Sequence, residues 1–191
     1  MRKAKAGIRK NHVCPVAIAR FLDNRVRRWV QDPRKILSPY IKEGMTVLDI
    51  GCGPGFFTLD IARLVGNSGR VIAADLQEGM LHRIEKKIHK TDLEGRITLH
   101  KCGEDGIGLS ETVDFITALY MIHEIPDQES FLKELRSLLN PNGQVFIMEP
   151  PFHVSKTAFE ETIRKAREIC FQPIERPRVF FSRTVILKKG A

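Results

Sequence analysis

Alternating blocks of hydrophobic and polar residues along the chain predict strands and helices in turn. Continuous apolar runs of strand length predict strands, which fall at 45–50, 70–74, 97–100, 113–118 and 144–148. Between them, apolar residues recur at helical spacing and predict helices at 77–89 and 128–139. Strands that alternate with helices indicate a parallel sheet with right-handed crossovers and with both faces covered.

The chain before the first strand is predicted to be helical. Pro15 is placed to begin a helix, whose apolar stripe ends with Trp29 and Val30. The spacing of Phe21 and Trp29 indicates side chains that pack in a core. A short second helix at 33–40 then leads into the first strand.

The last part of the chain follows a different pattern. A turn at 140–143 (Asn-Pro-Asn-Gly) precedes the strand at 144–148. After a helix at about 155–170, two strand-like runs at 175–181 and 184–187 are separated by only two residues. So short a link predicts an antiparallel hairpin at the end of the sheet.

Composition agrees with one globular domain. The chain has 191 residues, of which 42% are hydrophobic and 28% charged, and no apolar run approaches the roughly 20 residues of a membrane span. The apolar stretch at 13–22 is interrupted by Pro15 and Arg20, so it does not resemble a signal peptide. Four scattered cysteines, with no C-x-x-C pair, favour reduced thiols and a cytoplasmic location.

The net charge of +8 is concentrated at the N-terminus. Residues 1–35 contain eleven Lys or Arg and two Asp, whereas the remainder contains twenty basic and twenty-one acidic residues. Such a segment is suited to phosphates or an acidic substrate, or it is simply a solvated leader.

The most informative motif is the apolar strand that runs into Gly51-Cys-Gly-Pro-Gly55. A strand, a glycine turn and a helix let the backbone approach a nucleotide-like ligand closely. The dinucleotide fingerprint G-x-G-x-x-G fails here, because its last position is Phe56, and a P-loop is excluded because no Lys-Ser/Thr pair follows the second glycine.

The sequence Asp49-Ile-Gly-Cys-Gly-Pro-Gly55 resembles motif I of the class I S-adenosylmethionine-dependent methyltransferases. Later segments fit the family in order, from residue 45 to the C-terminus, and resemble its small-molecule branch, which includes the quinone-biosynthesis C-methyltransferases. The resemblance implies an α/β Rossmann-like three-layer sandwich, with a seven-stranded, mostly parallel sheet and a C-terminal antiparallel hairpin. It divides the chain into a basic arm and lid helix at 1–35 and a methyltransferase domain at 36–191.

By this resemblance S-adenosylmethionine is the cofactor and S-adenosylhomocysteine the product. Asp75, at the end of the second strand, is suited to hold two ribose hydroxyls, because a carboxylate offers two acceptor oxygens. Asp49 helps to hold the amino-acid end of the cofactor, or it is a structural carboxylate that binds loop amides. The resemblance assigns the remaining cofactor contacts to Gly51, Gly53, Gly55, Leu76, Leu119 and Asp105, with Glu104 as the alternative to Asp105.

Candidate residues for the methyl acceptor follow the fourth and fifth strands. A sulfonium methyl is already activated, so the protein must orient a nucleophile and remove its proton if it carries one. The groups capable of acting as the base are His123, Glu124 and His153, and strand-end packing is the structural alternative for His123. Candidate substrate contacts are His12, Cys14 and Tyr120, and no metal site is predicted.

Other functions stay open on the sequence alone. A tRNA or rRNA methyltransferase would use the basic arm, although the chain contains no recognisable RNA-binding module. An arsenite-type methyltransferase would need several converging thiolates, and only Cys14 is well placed for that. A non-catalytic protein would bind the cofactor without a neighbouring acceptor pocket.

Overall fold

The computed structural model describes residues 25–190, which alternate between helices and strands. Within these residues, two α-helices precede the first of seven strands, and four more α-helices lie between the strands. The helices are α1 (Arg25–Val30), α2 (Pro33–Leu37), α3 (Thr58–Leu64), α4 (Glu78–Ile88), α5 (Gln128–Leu138) and α6 (Lys156–Glu168). The strands are β1 (Thr46–Ile50), β2 (Arg70–Asp75), β3 (Ile97–Lys101), β4 (Val113–Leu119), β5 (Leu139–Glu149), β6 (Phe171–Glu175) and β7 (Arg183–Lys189).

The seven strands form one sheet in the order β3-β2-β1-β4-β5-β7-β6. Strands β1 to β5 are parallel, and β7 runs antiparallel to both β5 and β6. The chain builds outward from β1 to β3, then returns to the other side of β1 with β4. The order therefore reverses between β1 and β4, which is where open α/β sheets place their ligands. The predicted fold class is confirmed.

Successive residues of the central strand face two different hydrophobic layers. Val47 packs with the layer under α2, α3 and α4, whereas Leu48 and Ile50 pack with the layer under α5 and α6. Because both faces are covered, β1 reads as a nearly continuous apolar run. Asp49 lies on the same face as Val47 and is the polar exception in this strand.

The predicted turn at 140–143 lies within β5 instead of before it. Leu139 pairs with Val113 and Gln144 pairs with Phe115, so the four residues between them form an irregularity in the ladder. Asn142 takes a positive φ of 67° there, which agrees with the turn chemistry of the sequence.

The hairpin prediction is right in kind and wrong in position. In the hairpin, β7 pairs with β6, which follows α6 after a link of two residues, and residues 176–182 form the connection. Phe171 provides the buried apolar anchor, whereas Phe180 and Phe181 are each 61% exposed. The run at 175–181 therefore resembled a strand through its hydrophobicity, although the sheet does not bury it.

Two further findings concern the segments outside the sheet. The core role predicted for Trp29 is wrong, because its side chain is 89% exposed. The rest of the predicted first helix, with Phe21, lies outside the described residues. Among the helices of residues 25–190, none has the length and hydrophobicity that crossing a bilayer requires.

Candidate functional site

A cleft of about 510 Å³ opens at the carboxyl ends of the strands around the reversal point. Each strand from β1 to β5 contributes the residues that directly follow it, including Gly51, Leu76, Cys102, Tyr120 and Pro150. The topology thus collects five loops that are far apart in sequence. Most of the residues predicted as site residues line this one cleft.

The three glycines of the turn after β1 serve different purposes. All have positive φ, at 69° for Gly51, 53° for Gly53 and 87° for Gly55. A Cβ on Gly51 would lie 2.8 Å from the Met121 side chain, and one on Gly55 would lie 2.9 Å from Ile84. A Cβ on Gly53 would meet nothing within 4 Å, and Gly53 lines the cleft. The backbone at Gly53 is therefore open to close approach by a ligand.

Asp75 is positioned beside this turn at the end of β2. One carboxylate oxygen accepts the Gly53 N–H at 2.9 Å, and the other accepts the Gln77 N–H at 2.8 Å. Burial raises the pKa of this carboxyl, and the two backbone bonds oppose the shift. Each oxygen keeps a second lone pair, so a bound ligand can donate to a carboxylate whose position is already fixed.

Asp49 lies behind the turn and does not line the cleft. Its two oxygens accept hydrogen bonds from the hydroxyls of Thr58 at 2.6 Å and Thr117 at 2.7 Å. The side chain is buried, and this burial raises its pKa to about 6, against the lowering effect of the two hydroxyls. The negative charge of Asp75 raises the pKa further. The structure thus gives Asp49 partners of its own that tie β1 to α3 and β4.

The loop after β3 closes the far end of the cleft. Both Glu104 and Asp105 line it, together with Leu76 from the loop after β2. A turn at this point is closed by the Gly103 N–H, which donates to the Gly106 carbonyl at 3.0 Å. Both side chains therefore belong to the cleft, and the geometry does not choose between them as an adenine contact.

The opposite end of the cleft carries a histidine–carboxylate pair. Glu149, which ends β5 and is 2% exposed, accepts the His123 backbone N–H at 3.1 Å and the His123 Nδ1–H at 2.6 Å. The bond to Glu149 raises the pKa of His123, while partial burial lowers it. Since Nδ1 donates to the carboxylate, Nε2 is the nitrogen that carries the lone pair in the neutral ring.

His153 and Glu124 complete this end of the cleft. The imidazole of His153 stacks on that of His123, with ring centroids 5.9 Å apart and planes inclined by 16°. Glu124 follows His123 in a short 3-10 turn and contributes to raising the His123 pKa. All three predicted candidates for the base therefore line one end of the cleft.

Tyr120 connects the sheet with two segments at the mouth of the cleft. It has a positive φ of 62°, which is unusual for a residue with a bulky side chain, and its N–H donates to the Met148 carbonyl. Its hydroxyl accepts from Gln31 Nε2 at 2.7 Å and shares a hydrogen bond with the Ser182 hydroxyl at 2.6 Å. The predicted substrate contact is thus held by a hydrogen-bond network.

Sequence reasoning missed Glu149, Gln31 and Ser182. A signal for Glu149 existed, because it is an acidic residue at the end of an apolar strand, β5. That strand lies next to β4, which precedes His123. Gln31 and Ser182 carry no such signal, since each meets Tyr120 only through the tertiary fold. His12 and Cys14 lie outside the described residues.

The two cysteines that line the cleft, Cys52 and Cys102, do not offer it a thiolate. Burial raises the pKa of Cys52 well above its ordinary value and that of Cys102 to about 12. Within residues 25–190, no three His, Cys, Asp or Glu side chains are grouped so that they could hold a metal ion. These observations give the arsenite-type alternative no support.

Residues 41–176 match the protein family described as "Methyltransferase domain". The demethylmenaquinone methyltransferase of Lactobacillus johnsonii is 35% identical over 112 residues, covering 57% of this chain and 45% of that protein. The demethylmenaquinone methyltransferase of Bacillus subtilis is 29% identical over 123 residues, covering 64% of this chain and 52% of that protein. The chain therefore spans about half the length of the curated relatives it matches.

Solved structures resemble the whole described fold. A SAM-dependent methyltransferase from Aquifex aeolicus superposes with a TM-score of 0.84 at 28% identity, covering 93% of this chain and 100% of that chain. A putative rRNA methylase from Clostridium thermocellum, with a TM-score of 0.61 at 22% identity, covers 84% of this chain and 94% of its own. The second likeness extends to the fold alone.

Proposed function

Because the chain belongs to the methyltransferase domain family, we propose that it transfers the methyl group of S-adenosylmethionine to a small molecule. The sequence-based prediction of the family is confirmed, and with it the prediction of S-adenosylmethionine as cofactor. When bound, the cofactor supplies an electrophilic methyl group and leaves as S-adenosylhomocysteine. The observation that carries the proposal is the open approach to the Gly53 backbone beside the fixed Asp75 carboxylate.

The residues of the cleft fit such a cofactor along its length. Asp75 would accept hydrogen bonds from the ribose hydroxyls, using the lone pairs that do not already accept from the Gly53 and Gln77 N–H groups. Leu76 would pack against the adenine, and either Glu104 or Asp105 would form a hydrogen bond with it. Gly51 and Gly53 would let the methionine part lie close to the backbone.

For the acceptor we propose an aromatic ring of the quinol type. Support comes from the names of the relatives, which are demethylmenaquinone methyltransferases. It also comes from His123, since a quinol hydroxyl must lose its proton before a ring carbon becomes strongly nucleophilic. The Nε2 atom of His123 would take that proton, and Glu149 would stabilise the imidazolium that forms. His153, stacked on His123, would keep the ring in place.

The cofactor is tested by calorimetry with S-adenosylhomocysteine. Native protein should bind it, and Asp75→Ala should weaken binding by about 1–3 kcal/mol, the scale of a lost charged hydrogen-bond partner. Asp92→Ala is the matched control, because this exposed aspartate pairs with Arg96 outside the cleft. No binding by the native protein would refute the proposal.

Asp75 also holds two backbone amides, so its ribose role needs a separate measurement. An analogue that lacks the ribose 2′-hydroxyl provides it. If Asp75 accepts from that hydroxyl, Asp75→Ala should weaken the analogue less than it weakens S-adenosylhomocysteine. Equal losses for both ligands would mean that Asp75 does not accept from the 2′-hydroxyl.

The acceptor is tested by transfer of labelled methyl to a demethylated quinol in detergent, with unmodified tRNA offered in parallel. Label in the quinol supports the proposal. Label in tRNA would identify an RNA methyltransferase, and cofactor binding without any labelled product would favour a non-catalytic protein. The cytoplasmic location and the division of the chain at residue 35 stay predictions.

A further inference from the structure

Large hydrophobic side chains that are exposed cluster at the mouth of the cleft. Within residues 28–190 there are six of them, and all but Ile174 belong to chain segments that contribute a lining residue to the cleft. The other five are Trp29, Val30, Phe152, Phe180 and Phe181. They fall in three segments, 28–34, 150–156 and 176–183, which we call the mouth rim.

Hydrogen bonds join the three segments of the mouth rim. Gln31 Nε2 donates to the Phe180 carbonyl at 3.1 Å, and Arg183 Nε donates to the Val154 carbonyl at 2.9 Å. Gln31, Phe152 and Phe181 also line the cleft. Phe152, Phe180 and Phe181 therefore belong to one continuous surface around the opening, and Trp29 and Val30 directly precede Gln31, which is part of it.

The same surface is basic. The three segments contain six Lys or Arg and a single acidic residue, Asp32. Two of the basic side chains are paired with carboxylates outside the rim, Arg28 with Asp60 at 2.8 Å and Arg176 with Glu160 at 2.8 Å. The remaining four leave the mouth rim with a positive surplus.

We propose that the mouth rim docks on the surface of an anionic phospholipid bilayer. Exposed aromatic side chains flanked by cations are the combination that an interface between acyl chains and negative headgroups binds. The proposal concerns this surface alone and does not rest on the proposed methyl transfer. Docking would place the opening of the cleft against the membrane.

The packing of the aromatic rings favours lipid over nucleic acid. Phe180 and Phe181 pack on each other with centroids 4.8 Å apart, and Phe152 packs against the His153 ring at 5.3 Å. Stacking on bases needs open ring faces, whereas insertion among acyl chains needs only apolar surface. These rings offer apolar surface, but part of their faces is covered by the neighbouring rings.

Vesicle sedimentation of the full chain tests the proposal. Phosphatidylcholine vesicles are compared with vesicles of equal parts phosphatidylcholine and phosphatidylglycerol. We expect binding to the anionic vesicles, weakened about tenfold or more by the double variant Phe180→Ser/Phe181→Ser. The control Ile174→Ser removes an apolar side chain that is 50% exposed and does not line the cleft, and this variant should bind as the native protein does.

A second pair of variants tests the charge. Arg178→Gln, in the mouth rim, should weaken binding about fivefold. Lys86→Gln, on the exposed side of α4, should leave binding unchanged. Near-UV circular dichroism establishes that each variant is folded.

Three results would overturn the proposal. The first is equal or absent binding to the two kinds of vesicle. The second is an equal loss for Ile174→Ser and for the double phenylalanine variant, since binding would then not be centred on the mouth rim. The third is binding to single-stranded RNA that the phenylalanine variant weakens while vesicle binding stays unchanged.

Discussion

Asp49 is the most informative single residue to change, because its ionisation opposes folding. Its carboxylate is 2% exposed and is bonded only to two threonine hydroxyls in the described structure. Asp49→Asn keeps the shape of the side chain. The new amide would donate to the Thr117 hydroxyl, which can turn to the Leu48 carbonyl 3.5 Å away. The Thr58 hydroxyl would still donate to the remaining oxygen.

The size of the effect follows from the pKa of Asp49. Folding raises that pKa from 3.8 to about 6. Between these values the folded state binds more protons than the unfolded state, so the free energy of unfolding falls as the pH rises. A shift of about two pKa units corresponds to about 3 kcal/mol in the free energy of unfolding. Because the carboxyl group is buried, this value is not reduced for screening by solvent.

Denaturant unfolding at pH 4 and pH 7 measures this directly. Asp49→Asn should differ little from the native protein at pH 4 and should be more stable by about 3 kcal/mol at pH 7. Asp92→Asn, at an exposed position, is the control and should show no such dependence. A variant that is less stable than the native protein at pH 7 would refute the reasoning. Lost affinity for S-adenosylhomocysteine in a stable variant would instead support the cofactor role that the family resemblance implies.

Two other substitutions test the histidine end of the cleft and the glycine turn. Glu149→Gln should lower the pKa of His123 towards its ordinary value and reduce the free energy of unfolding by about 1–3 kcal/mol. Because Glu149 raises the His123 pKa, the stabilisation from this pair is complete at acidic pH and declines as the pH rises through that pKa. An unchanged His123 titration in the variant, measured by NMR, would contradict the pairing. Gly51→Ala should reduce the free energy of unfolding by about 1–2 kcal/mol because of its positive φ, and by more because of the contact with Met121. Calorimetry should also show weaker S-adenosylhomocysteine binding. Native behaviour in both measurements would mean that the turn adapts freely.

The sequence predicted the parts of the fold that depend on local pattern. The strand at 45–50 and the glycine turn after it are encoded within a dozen residues, and both occur as predicted. The strand at 175–181 was wrong, because Phe180 and Phe181 are exposed, although Val179 packs against the core. Hydrophobicity alone cannot distinguish a buried strand from an exposed apolar loop.

The candidate site was predictable where each residue follows a strand. Asp75, Tyr120 and His123 could be found in this way, since parallel strands bring their carboxyl ends to one edge. The bond between His123 and Glu149 could not, because it depends on the adjacency of β4 and β5 and on the register between them. The same holds for Gln31, which is 89 residues away from Tyr120 in sequence.

The shared hydroxyl of Tyr120 couples two segments of the chain that are distant in sequence. Gln31 and Ser182 both bond to this phenol, and Gln31 Nε2 also donates to the Ser182 hydroxyl at 3.3 Å. A displacement of either residue would therefore disturb hydrogen bonds of the other. The two segments should change position together whenever the entrance changes shape.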